Sequence, residues 1–385
     1  MIRHLIKLIW NKRKAHSLLI VEIWASFMVL FGLCTLIIYN LRNYAEPLGF
    51  EYKNRWAINL SNNQDTTDVA EKVGMVLRRV KACPEVESGT QLSAELFPFS
   101  SSNNGTGVTY RKRETVVNFV STDENYAQTM SINLIAGKWY SRADRVGKYI
   151  PVVINRKAQE KLFDGENPVG KILSDTRIIA GVVDTYKDKA EFMDNKPTMF
   201  ELIDPANDGN TTLIIKIKPG ADALFEAKLV KDIAAVVKDW NVQVVYLDAA
   251  RESRINQTLI PVTIFLTICT FLLINVALGL FGVLNVSIAR RRGEIGLRRA
   301  LGATEGAVSR QFVGEMLVLA TFALVLGLII AGQFPLLNVF DLDPGVYWAA
   351  MAVSVLLIYL MVAICALYPS RQAATIQPAV ALHEE

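Results

Sequence analysis

The side chains that most often carry out chemistry are scarce or badly placed in this chain. Of its three histidines, His4 and His16 sit near the amino end and His383 near the carboxyl end. The long middle therefore offers no imidazole for a Ser-His-Asp triad or a zinc site. Aspartates and glutamates are scattered without ligand-like spacing, which leaves open only a carboxylate pair that geometry, not sequence, would reveal. No Gly-x-x-x-x-Gly-Lys-Ser/Thr run occurs, so the chain has no loop to cradle ATP phosphates. No catalytic, cofactor-binding or metal site is expected. Cys34, Cys269 and Cys365 lie in apolar runs, where cysteine packs as a small hydrophobe. Cys83 stands alone in the polar middle, so an internal disulfide is excluded there. Sequons at Asn104, Asn210 and Asn256 are short enough to recur by chance.

One segment has more pattern than chance provides: Arg290-Arg-Arg-Gly-Glu-Ile-Gly-Leu-Arg-Arg-Ala-Leu-Gly-Ala-Thr304. Arg290 to Arg292 need be no more than a stop-transfer cluster. That explanation leaves Glu294, Ile295, Gly296, Leu297 and the Gly302-Ala303 pair unaccounted for. The segment reads as a helix end, a break at Gly302-Ala303, and a new helix capped by Thr304 with Glu305 in its first turn. Such a helix–elbow–helix makes a compact, partly apolar knob.

The elements that must hold this knob follow from composition. The chain has 385 residues, 51% hydrophobic and 20% charged, and a mean hydropathy of +0.27, against about 25% charged in soluble domains. Four apolar runs are long enough to cross a bilayer, which takes about 20 helical residues. They are read as transmembrane helices over residues 17–40, 258–289, 316–338 and 345–369, since only helices satisfy the backbone over such lengths in lipid. The second exceeds what a bilayer requires, so it tilts or projects. The first is too long for a cleaved signal peptide and reads as an anchor.

Basic residues set the direction. Arg3, Lys7, Lys12, Arg13 and Lys14 precede the first span, and six arginines lie between spans two and three, whereas the link between spans three and four carries only Asp341 and Asp343. Both termini are therefore expected in the cytoplasm, with residues 290–315 a cytoplasmic loop, 370–385 a cytoplasmic tail and 41–257 outside. Residues 1–16 are read as a cytoplasmic segment. Its Met1–Lys14 stretch is either an amphipathic helix in the membrane interface, with Ile2, Leu5, Ile6 and Ile9 on one face, or a basic tail that only sets orientation. A nucleic-acid role for the arginines fails because the cluster abuts the membrane. Glu22, about one turn into the first span, is near enough to the cytoplasmic interface to be hydrated or paired. Gly279 and Gly282, and Gly327 with Ala331, mark close-packing faces, within one chain or between two.

The outer segment balances its acids and bases. Strand-like runs at 55–60, 114–120, 150–154, 177–183, 211–217 and 242–247 alternate with helical periodicity over 69–80 and 222–240. Residues 100–107 and 204–210 read as turns. The expected class is an α-helical membrane protein of four transmembrane helices, with a large α+β extracytoplasmic domain inserted between helices 1 and 2.

Three stretches carry a family resemblance. Glu294-Ile-Gly-Leu-Arg-Arg-Ala-Leu-Gly-Ala303 resembles the E-I-G-x-x-R-A-x-G-A signature of MacB/FtsX-like ABC transporter permeases. Leu162-Phe-Asp-Gly-Glu-Asn-Pro-Val-Gly-Lys171 with Ile179-Ala-Gly-Val-Val183 is similar to the family's outer-domain pattern. Tyr368-Pro-Ser-Arg-Gln-Ala-Ala and Ile376-Gln-Pro-Ala-Val-Ala-Leu382 resemble its ending. The order of one span, an outer domain and three spans matches as well.

The resemblance implies the rest. The outer domain divides into two small lobes on stalks that extend spans one and two. Arg292, Glu294, Ile295, Gly296, Leu297, Arg298, Arg299, Ala300, Gly302, Ala303 and Thr304 form the segment that docks on a cytoplasmic ATPase. This chain is a non-catalytic permease subunit of the inner membrane; ATP and Mg are bound by the ATPase, expected here as a separate polypeptide. A second permease chain, identical or not, completes the membrane unit amid lipid, and a periplasmic adaptor or outer-membrane partner extends it. ATP-driven closure inside becomes stalk movement outside, serving export or efflux. The alternative is an FtsX-like regulator signalling to an envelope partner such as a cell-wall hydrolase. If the topology holds, a membrane-impermeant maleimide on intact cells labels Ser102→Cys, and reaches Glu305→Cys only after permeabilisation; equal labelling of both would overturn it.

Overall fold

The computed structural model describes residues 13–93, 96–204 and 211–374. The Met1–Lys14 amphipathic reading, the three histidines, the 204–210 turn after Asp204 and the tail motif beyond residue 374 lie outside the described residues or side chains. The chain forms two compact units, Arg42–Thr258 and a second built from residues 1–41 with 259–385.

In order along the chain come α1 (Arg13–Ala45), β1 (Arg55–Ser61), α2 (Val69–Lys81), β2 (Val86–Ser93), β3 (Gly105–Tyr110), β4 (Arg113–Thr122), α3 (Tyr126–Thr129), β5 (Leu134–Gly137), β6 (Ile150–Asn155), α4 (Arg156–Phe163), β7 (Ile172–Leu173), β8 (Arg177–Val183), β9 (Thr198–Leu202), β10 (Thr211–Ile217), α5 (Ala223–Val236) and β11 (Asn241–Tyr246). There follow α6 (Leu247–Arg290), α7 (Arg292–Ala300), α8 (Glu305–Ala331), α9 (Gln333–Leu336) and α10 (Pro344–Ala374).

The first unit is α+β. Its sheet runs β11-β1-β10-β2-β4-β9-β6-β8-β5, with β3 added to β4 and β7 to β8. Most neighbours are antiparallel; β4 with β9 and β6 with β8 are parallel. Strands β1, β6, β9 and β10 are buried on both faces, which explains their near-continuous apolar runs, whereas β3, β4, β5 and β11 keep exposed positions. Alternation still sorts the side chains: Trp56, Ile58, Leu60, Leu213 and Ile215 pack under α2 and α5, while Ala57 and Ile214 point to the other face. On the helical side the core is split. Val76, Val80, Leu229 and Ile233 cover one half, and Ala158, Leu162 and Phe163 of α4 cover β6, β8 and β9 in the other. The halves meet at a single register pair, Leu92↔Thr122, and these are the two lobes. The opposite face has one continuous core around Phe50, Tyr126, Tyr186 and Phe200, where the Tyr126 and Tyr186 hydroxyls share a 2.6 Å hydrogen bond and burial pushes both phenols up.

Helix ends follow their caps. Asp222 accepts from Phe225 N at 3.0 Å and Asn155 from Ala158 N at 3.0 Å, each satisfying an orphan amide. Residues 100–107 are not all turn, since β3 begins at Gly105. Arg55 is buried at 2% exposure. It donates to Thr129 O (2.8 Å), Lys53 O (2.8 Å), Glu51 Oε2 (2.9 Å) and Ser131 Oγ (2.9 Å), so its charge is compensated.

The second unit is a helical bundle. Among the described residues four helices are long and apolar enough to span a membrane, over Ser17–Ala45, Leu247–Arg290, Glu305–Leu336 and Pro344–Arg371. Leu19, Ile23, Phe27, Leu30 and Cys34 form the inward stripe of α1 against Val276, Leu280, Leu319, Ala323, Tyr347 and Ile358. The helices outrun the expected spans. α6 has 44 residues, about 66 Å, with Pro261 inside it, and α8 starts at Glu305, well before residue 316. Gly327 faces Phe27, whose ring carbon lies 2.3 Å from where a Cβ would sit, and Gly279 faces the Glu22 carboxylate at 2.8 Å, whereas Gly282 faces open space. Two of the three glycines thus serve contacts within this chain.

Replacing Arg55 by Met leaves the Thr129 and Lys53 carbonyls unpaired, at a cost of about 3 kcal/mol. Arg55 also holds the Glu51 carboxyl below its ordinary range. That carboxyl's mostly exposed contribution is complete above the unfolded value of about 4.3 and lost as pH falls further. Urea melts of the full chain are expected to show the Met variant weaker at neutral pH and less acid-sensitive below pH of about 4.

Candidate functional site

The knob is built by three backbone events. α6 ends at Arg290 and α7 starts at Arg292, so Arg291 alone forms the joint; its amide donates to Ile288 O at 3.0 Å, and its carbonyl accepts from Ile295 N at 2.9 Å. α7 then stops where Gly302 adopts φ +95°, a left-handed conformation that glycine reaches without a Cβ penalty. Ala303 N closes the turn on Arg298 O at 3.0 Å. Thr304 caps α8, its hydroxyl accepting from Ala307 N at 3.3 Å. The sequence reading had one helix run up to the elbow; the chain instead breaks once more, at Arg291.

The expected residues divide between two faces of α7. Ile295 and Gly296 are buried, Ile295 in the same core as Val308 and Phe312. Arg292, Glu294, Leu297, Arg298 and Ala300 are exposed, as are Gly302 and Thr304, with Ala303 half-buried. The Arg299 side chain lies outside the described set. Leu297 and Leu301 are one helical turn apart and 53% and 81% exposed, flanked by the Glu294–Arg298 ion pair. Two bare leucines edged by charge on a short, braced helix suit protein docking far better than bond-making. Among the described residues no cluster of His, Cys, Asp and Glu fits a metal ion.

Three residues outside the predicted set bind α7 to α8. Arg291 Nη1 donates to both Glu315 oxygens, at 2.9 and 3.1 Å, and Glu315 is only 6% exposed. Gln311 Nε2 donates to Glu315 Oε1 at 3.3 Å while its own Oε1 accepts from Arg298 Nη1 at 2.6 Å. Glu294, Arg298, Gln311, Glu315 and Arg291 thus form an unbroken polar chain. Little space, about 10 Å³, is left in the cleft that Arg291, Glu294, Arg298 and Gln311 line with Ile295, Val308 and Phe312. Positional charge rules explain Arg291 without a partner, and nothing local links it to an acid in the next helix. A lone glutamate opening an apolar run was the only signal.

Known proteins resemble the chain along most of its length. A family model described as FtsX-like permease C-terminal matches residues 266–378, and one described as MacB-like periplasmic core domain matches residues 35–232. The chain is 24% identical over 291 residues to the uncharacterized ABC transporter permease YknZ of Bacillus subtilis, covering 72% of each. It is 26% identical over 248 residues to the macrolide export ATP-binding/permease protein MacB of Neisseria meningitidis serogroup A, covering 61% of this chain but only 37% of that one. The periplasmic region of MacB from Actinobacillus actinomycetemcomitans aligns with 54% of this chain and 93% of its own length, at 15% identity and a TM-score of 0.38.

An alanine at position 302 meets no steric block but must hold the left-handed conformation, costing about 1 kcal/mol. Loss of the Thr304 cap costs about 1 kcal/mol more. Hydrogen exchange over residues 301–308 is expected to speed up in Gly302→Ala and further in the double variant with Thr304→Ala.

Proposed function

The chain belongs to the MacB/FtsX-like family of ABC transporter permeases, and on that premise we propose that it is the membrane subunit of a complex that turns ATP hydrolysis by a separate cytoplasmic ATPase into movement of its outer domain. The observation that carries the proposal is the braced helix α7 between two membrane helices, with Leu297, Leu301 and the Glu294–Arg298 pair on its open face. Family members are inner-membrane permeases with a periplasmic domain. In our reading both termini and α7 face the cytoplasm, and the work done is export or efflux from the envelope. ATP and Mg are held by the partner ATPase, and this subunit is not catalytic.

A second permease chain is part of this reading. Ile264, Ile268, Phe271, Asn275, Leu278 and Gly282 recur at alternating spacings of four and three along α6, and all are exposed. That spacing is the one a coiled-coil seam uses; Asn275 donates to Phe271 O at 2.8 Å, and its remaining amide capacity with Gly282 beside it supports a neighbouring helix on this stripe. A regulator acting on a cell-wall hydrolase would use the same α7. The FtsX-like and MacB-like matches fit either role, and the exporter is the one we propose.

Affinity purification of the tagged chain in mild detergent tests the proposal. An ATPase of about 25 kDa, the size of one nucleotide-binding domain, is expected in equal numbers with the permease, and Glu294→Lys or Gly302→Pro is expected to release it. Retention of a cell-wall hydrolase would favour the regulator, and retention of the ATPase by both variants would remove α7 as its dock.

A further inference from the structure

We propose that the Arg291–Glu315 pair is a mechanical brace that makes α7 and α8 move as one body, so that a push on α7 displaces both flanking membrane helices. This rests on the reading of α7 as the ATPase dock. Arg291 is the whole of the break between α6 and α7; its backbone has one hydrogen bond to each helix, and side chains supply the rest of the joint's stiffness. Its guanidinium reaches from the joint to α8 and meets both carboxylate oxygens of Glu315.

An apolar contact at this place would hold α7 near α8 yet let it slide. A charged nitrogen, Arg291 Nη1, shared between both carboxylate oxygens is a charge-assisted tether that fixes how far the joint stands from α8. The other end of α7 is tied to the same helix through Arg298 and Gln311, and Ile295 is buried between. Three attachments, at the start, middle and end of a nine-residue helix, leave it no independent rotation. Arg291 and Glu315 are turned inward, with side chains only 14% and 8% exposed, so neither is needed for the docking face itself. Both are positioning residues.

The test uses the full chain in nanodiscs with its co-purified ATPase, spin-labelled at Glu252→Cys on α6 in a Cys83→Ser background, and read by the ATP-dependent change in label–label distance. Glu315→Gln and Arg291→Met are expected to keep the ATPase bound while the fraction of molecules changing distance falls by about tenfold. The exchanged pair, Arg291→Glu with Glu315→Arg, is expected to recover most of it. The exchange also guards against misfolding, since a merely damaged protein would not be rescued by a second substitution. Undiminished movement in both single variants, or loss of ATPase binding together with movement, overturns the brace. If the unsubstituted chain itself binds no ATPase or shows no nucleotide-dependent change, the function proposed above fails and the brace fails with it.

Discussion

Hydrocarbon offers a peptide group no hydrogen-bond partner, and the membrane unit is shaped by that single fact. Its spanning segments are helices, and the two breaks that frame α7 are answered locally. The joint at Arg291 is closed by bonds to Ile288 and Ile295, and the elbow at Gly302 by Ala303 and the Thr304 cap. Where the backbone turns between α6 and α8, the chain supplies arginines; where the helices run straight, it supplies Leu, Ile, Val and Phe. The glycines that let helices approach, Gly279 and Gly327, are spent on Glu22 and Phe27 of the same chain, which leaves Gly282 on the open side of α6.

The outer unit answers the same requirement by another route. Its sheet pairs strand to strand, and the strands covered on both faces, among them β1, β6 and β10, have apolar residues at consecutive positions. The larger polar side chains of its interior have partners, while the buried Thr129 and Thr211 hydroxyls have none among the described residues. Arg55 meets two carbonyls, a carboxylate and a hydroxyl, and Asn155 caps α4 while also bonding Thr198 N at 2.9 Å and Lys196 O at 2.7 Å. These residues tie the loops to the sheet and give two lobes a common face.

Local signals in the sequence were read well where local physics decides. The apolar runs, the helix over 69–80, the strands at 177–183 and 211–217, and the Thr304 cap are all consequences of near neighbours. The motif 294–303 was legible as a knob for the same reason. Strand order was not, because β1 lies between β10 and β11 and no sequence period announces such pairing. β9 was missed as a short strand after a proline-bearing loop, and α4 because its buried face is only Ala158, Leu162 and Phe163. The Arg291–Glu315 contact is hidden for a similar reason, since it joins two helices across a turn and each residue has an ordinary explanation by itself.

Pro261 has one more consequence. Lacking an amide hydrogen, it removes a rung from α6 and leaves the Gln257 carbonyl without its helical donor, next to the Thr258/Leu259 boundary between the units. A missing rung hardly affects a load along the helix axis, which the covalent chain and the packed turns still bear. It does lower the stiffness against bending. The longest helix of the protein is therefore a rod in compression and a flexure under sideways load, with the compliant point set by one residue.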